Sequence, residues 1–68
     1  MPGGTRHELI GVLLGDRPYP VLRMPDGGEW RLDVSRPIHH LLGQRVRVVG
    51  KRSEFDMLDV DLIEPAGG

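Results

Sequence analysis

Leu41-Leu42-Gly43-Gln44-Arg45-Val46-Arg47-Val48-Val49-Gly50-Lys51-Arg52 is the stretch that decides the fold. An apolar pair runs into a glycine. Polar and aliphatic residues then alternate up to a second glycine and a basic pair. The spacing predicts a short helix that stops at Gly43, which fits the left-handed position just past a helix C-terminus. It then predicts a strand over 45–50 with Val46 and Val48 facing in, and Arg45, Arg47 and Val49 facing out.

Working back from Gly43, Ile38, Leu41 and Leu42 share one helical face at i, i+3 and i+4. Ser35 is the expected N-cap, with Pro37 in the first turn. Two turns are not stable alone, so packing must hold them, with the apolar face plugging one end of a barrel. Residues 29–34 alternate, with Trp30, Leu32 and Val34 in and Glu29, Arg31 and Asp33 out. Asp26-Gly27-Gly28 reads as a hairpin turn with glycines free to take positive φ. A short strand over 21–24 precedes it, and residues 15–20 form a loop by composition. The first strand, 7–14, has Leu9, Gly11 and Leu13 on one face and Ile10, Val12 and Leu14 on the other. Gly11 marks a bend that lets one strand serve both halves of a small barrel.

Working forward from Gly50, Arg52-Ser53-Glu54 is the expected turn. A fifth strand over 55–63 places Leu58, Val60 and Leu62 in, with Asp59 and Asp61 out. Facing in-set against in-set pairs Val48 with Leu58 and Val46 with Val60. Arg47 then opposes Asp59, and Arg45 opposes Asp61. Opposite charges across strands contribute roughly 0.2–1 kcal/mol per pair.

The fold class is therefore all-β: five strands with a short helix between the third and the fourth. That helix position, with Leu42-Gly43-Gln44-Arg45-Val46-Arg47-Val48-Val49-Gly50, resembles the small bacterial OB-fold (oligonucleotide/oligosaccharide-binding) domains of uncharacterised families. The resemblance covers residues 7–64 and implies a five-stranded Greek-key barrel. An SH3-like barrel typically carries its helical turn between the fourth and fifth strands instead. The motif specifies a helix stop and a strand, not chemistry. Residues 1–6 and 65–68, with their Pro and Gly, are the expected flexible tails.

The 68 residues make one domain, carry a net charge of −1 and contain no cysteine. A chain this short buries only ~60% of its unfolded surface, so closing the sheet into a barrel is one way to stabilise it. Strong non-specific nucleic-acid binders usually have a pI above ~9, which this chain does not reach. No disulfide framework or thiolate metal site is available. The apolar runs fall far short of the ~20 residues of a membrane span. No secretory signal core is visible at the N-terminus, so the expected location is the cytoplasm.

For function, the reading is a small binding module, not an enzyme. Ser35, Ser53 and Thr5 sit in no nucleophile motif, and no glycine loop precedes a helix. His39 and His40 point about 100° apart on a helix and cannot share one ion, with His7 far away in sequence. No metal or cofactor is expected. The candidate ligand residues are Tyr19, Arg23, Arg31, Lys51, Arg52 and Phe55. They surround the outside of strands two and three and the first and last hairpin loops, the usual OB ligand face. Cations with rings suit a single-stranded nucleic acid or another anionic or sugar ligand, bound weakly. Trp30 belongs to the core set and is no stacking platform. The alternative is a protein-interaction or homo-oligomeric assembly module. Ile10, Val12, Leu14 and Val49 then form an exposed aliphatic face across the first and fourth strands.

Overall fold

A computed structural model describes residues 6–15 and 18–67. It contains β1 (Arg6–Leu14), β2 (Val21–Arg23), β3 (Glu29–Asp33), β4 (Arg45–Glu54) and β5 (Met57–Pro65). The five strands form one sheet closed on itself in the order β1-β2-β3-β5-β4. β3 and β5 run parallel, and the other neighbours are antiparallel. Residues 1–5 and 68 of the expected tails lie outside the described residues, whereas Arg6 opens β1 and Pro65 ends β5.

β1 closes the ring by changing partners. Its residues Arg6 to Val12 pair with β4, and Val12 to Leu14 pair with β2. Gly11 sits at that change, where the β2 backbone crosses so closely that a Cβ would lie 2.3 Å from the Arg23 carbonyl oxygen. The expected corner is therefore present, and close approach is its cause.

The expected helix between β3 and β4 is instead one 3-10 turn, His39–Leu41. Ser35 does not cap it: the N-cap is Ile38, and no side chain caps the turn. Pro37 accounts for this, because it disfavours helical backbone at Arg36 and so cuts off the first expected turn. The apolar triplet nevertheless packs inward. Leu41 is buried in the core, with Ile38 and Leu42 against it. Gly43 takes φ 79°, the left-handed conformation expected of it. Its N–H donates to the Leu13 carbonyl at 2.6 Å, and the Leu13 N–H donates to the Gln44 carbonyl at 3.0 Å. The deciding stretch is thus stapled to the end of β1.

The core is Leu13, Leu22, Leu32, Leu41, Val46, Val48 and Leu58. Trp30 is half-buried against it, as its alternation predicts, and the His7 ring tilts on its indole at 5.3 Å.

The β4–β5 register differs from the expected one. β4 continues to Glu54, and the turn is Phe55-Asp56, not Arg52-Ser53-Glu54. Val46 lies opposite Pro65, Arg47 opposite Glu64, Val48 opposite Ile63 and Lys51 opposite Asp59. The ladder has irregular steps between Val49 and Gly50 and between Arg52 and Glu54, which leave Asp61 and Ser53 as extra residues. An extra residue shifts the alternation by one. Hence Leu58 and Val60 face in, but beyond Asp61 it is Ile63 that packs on the core, while Leu62 is exposed.

Candidate ligand-contact surface

The two-residue turn carries Phe55 at its tip, where it is 88% exposed, far more than any other large apolar residue among those described. Arg52, Ser53, Glu54 and Phe55 line an open depression there. The Arg52 Nε donates to the Glu54 carbonyl at 3.3 Å, and the Ser53 hydroxyl donates to the Met57 carbonyl at 3.3 Å. Both bonds shape the irregular end of β4. Lys51 is exposed and, among the described residues, forms no ion pair.

The turn is fastened to β3. The Arg31 backbone N–H donates to the Asp56 carbonyl at 2.6 Å. The Arg31 Nε and Nη2 both donate to Asp56 Oδ1, at 3.0 and 2.8 Å. Asp56 was not among the expected site residues, because its role depends on the longer β4. These hydrogen bonds, and the guanidinium charge, hold the Asp56 carboxyl below the usual aspartate range. They hold the Arg31 guanidinium above its ordinary value, and Tyr19 is near enough to add to the effect.

The sign of the pH dependence follows. A carboxyl whose folded pKa is depressed contributes its stabilisation above its unfolded pKa and loses it as pH falls through the folded value. The hairpin clamp is therefore expected to contribute fully above the ordinary aspartate value of 3.8 and to open only as pH falls through the lower folded value. A carbon-13 NMR titration of the Asp56 carboxyl checks this. Its midpoint should lie below 3.8 and rise towards that value in Arg31→Gln. Equal midpoints in the two proteins would show that the clamp does not form.

Arg23 is also engaged, its Nη2 donating to Glu29 Oε2 at 3.1 Å. Of the expected cations, Arg23 and Arg31 thus face internal carboxylates, Arg52 lines the depression at Phe55, and Lys51 lies further down β4 opposite Asp59. Tyr19 is half-buried in the first loop, beside Arg31.

Register places Leu14, Val21, Arg31 and Met57 in one row across the outside of the sheet. Val21 is buried, as is Met57, and neither belongs to the core cluster. The outer face of β2 and β3 is therefore partly covered where the row meets the loop and the turn.

The expected aliphatic face is interrupted. Ile10 and Val12 are each 37% exposed, whereas Leu14 and Val49 are half-buried. Arg47, next to Ile10 in the ladder, pairs with both Glu8 and Glu64. That triad separates Ile10 and Val12 from Val49 and Leu62, and Leu14 lies in the Val21 row. The expected partners of Arg47 and Arg45 are corrected with the register. Arg47 is neutralised by Glu8 and Glu64, not Asp59. Arg45 forms no ion pair among the described residues.

His39 and His40 are exposed, and among the described residues no three His, Cys, Asp or Glu side chains cluster as metal ligands do. No helix among the described residues is long and apolar enough to cross a membrane.

A family model described as a protein of unknown function (DUF5818) matches residues 10–66. No curated protein and no solved structure matches the chain.

Proposed function

We propose, for a chain that belongs to the DUF5818 family of proteins of unknown function, an OB-like binding module that contacts its ligand through the β4–β5 hairpin tip. The strand order, the parallel β3–β5 pair and a first strand shared between two partners support an OB-like Greek key. In that fold the outer face of the second and third strands and the first and last hairpin loops hold oligonucleotides or oligosaccharides.

One observation carries the reading: the Phe55 side chain stands in solvent beside Arg52, with Lys51 next along β4. Burying an aromatic ring stabilises a protein by roughly 1.5–3 kcal/mol, so a ring left outside on a clamped turn is placed for contact. A base can stack on it while the two cations meet backbone phosphates. Arg31 and Arg23 join only by leaving Asp56 and Glu29. Binding of single-stranded nucleic acid is therefore weak, non-catalytic and shallow in its salt dependence. With two phosphates neutralised, log affinity falls against log salt with a slope of roughly −1.4.

Titrating the nitrogen-15-labelled protein with an oligothymidylate at low salt tests this. Amide shifts are expected at residues 51–56, Arg31 and Tyr19, and should reverse on adding salt. Shifts scattered over the surface, or none, would overturn it. Assembly through Ile10, Val12, Leu14 and Val49 has less support, because the Glu8–Arg47–Glu64 triad divides that face.

A further inference from the structure

The depression at the hairpin tip holds two opposite charges that do not meet. Arg52 and Glu54 line it together with Phe55, yet among the described residues neither forms an ion pair. The Arg52 Nε is turned onto the Glu54 main-chain carbonyl instead, at 3.3 Å. That bond fixes the guanidinium and leaves its two Nη groups without a partner among the described residues. The Glu54 carboxylate accepts no hydrogen bond among them either. Arg31 is near enough to feel its charge, but donates to Asp56.

A carboxylate in this place works against a strand held only by its phosphates, because it repels them. It helps binding only where it meets a base. The two groups ask for different edges of that base. A guanidinium donates to two neighbouring acceptors, and a carboxylate accepts from two neighbouring donors. Among the four DNA bases guanine alone offers both. Its O6 and N7 are adjacent acceptors, and its N1–H and N2 amino group are adjacent donors. Adenine and cytosine carry a single amino group, and thymine a single ring N–H.

We infer that the tip prefers guanine within a single strand. The base stacks on Phe55, Arg52 donates to its O6 and N7, and Glu54 accepts from its N1–H and N2 amino group. This rests on the hairpin-tip reading and adds a base preference to it. Glu54 is then the residue that sets specificity. Arg52 serves the base rather than a phosphate, so Lys51 keeps the one phosphate contact.

Four fluorescein-labelled heptanucleotides test this by anisotropy with the intact chain at low salt: all thymidine, or thymidine with a central guanosine, adenosine or cytidine. The guanosine strand should bind at least about fivefold more tightly than the other three, the lower value of one bidentate pair. Its salt slope should be shallower, roughly −0.7 for one phosphate against −1.4 for two. Inosine, which lacks the N2 amino group, should lose most of the advantage. Glu54→Gln decides by sign. It should weaken the guanosine strand and strengthen the all-thymidine one, from which a repelling charge has been removed. Glu54 is exposed, so the variant should keep the melting temperature of the parent. Four equal affinities, or a Glu54→Gln protein that binds every strand more tightly, would overturn the inference and leave the hairpin-tip reading standing. Binding of none of the four would overturn both.

Discussion

Leu58→Ala is expected to lower stability by about 2–5 kcal/mol, the cost of a large-to-small change in a packed core. Leu58 is fully buried and lies beside Leu32 in the parallel β3–β5 pair. That pair joins the two antiparallel arms of the sheet, so a cavity there opens at the seam of the ring. A domain of 68 residues has a total stability of about 3–10 kcal/mol at ~0.05–0.15 kcal/mol per residue. The substitution therefore removes a large fraction of it. Urea unfolding followed by Trp30 emission should show a much lower midpoint or a population already unfolded. A loss below about 1 kcal/mol would place Leu58 outside the core.

Gly11→Ala should act through the backbone. The new methyl would lie 2.3 Å from the Arg23 carbonyl oxygen and 3.2 Å from the Leu22 side chain. The first neighbour is main chain and cannot swing aside, so β1 and β2 must separate at the corner. Overpacking of this kind costs about 1–3 kcal/mol. For a domain this small each kcal/mol lowers the melting temperature by about 4–8 °C. The sign is diagnostic, because Gly→Ala at an unhindered site stabilises by about 0.4–1 kcal/mol through the unfolded chain. Gly50→Ala should behave like Gly11→Ala, since its methyl would meet the Asp59 carbonyl oxygen at the same 2.3 Å. A raised melting temperature in either variant would show that the strands do not approach so closely.

The strands that alternate cleanly were legible in the sequence. Trp30 and Leu32 on β3, Val46 and Val48 on β4, and the corner at Gly11 follow from side-chain period and from glycine's lack of Cβ. The Gly43 stop was legible for the same reason. Two things were not. The helix before Gly43 shrank to a 3-10 turn, because an apolar i, i+3, i+4 triplet satisfies one turn as well as two and Pro37 removes the first. The register of β4 and β5 slipped because alternation is blind to an inserted residue. Ser53 and Asp61 each add one, and Asp61 exchanges the roles of Leu62 and Ile63.

That slip changes the site. With the turn at Phe55-Asp56, Asp56 meets Arg31 and clamps the hairpin that carries Phe55 at its tip. The cations were legible as residue types, but their internal partners were not. Arg47 finds Glu8 across the β1–β4 ladder, a pairing 39 residues apart in the chain that no local pattern announces.

A Phe55 ring held outside for a ligand must lose affinity when the ring is removed. The most direct measurement compares the affinity of the parent and of Phe55→Ala for a fluorescein-labelled oligothymidylate at low salt, by anisotropy. Loss of one stacked base is worth about 1–3 kcal/mol, or roughly 5–150-fold in affinity. A loss in that range is expected with an unchanged melting temperature, because Phe55 is 88% exposed. Equal affinities in the two proteins would contradict it.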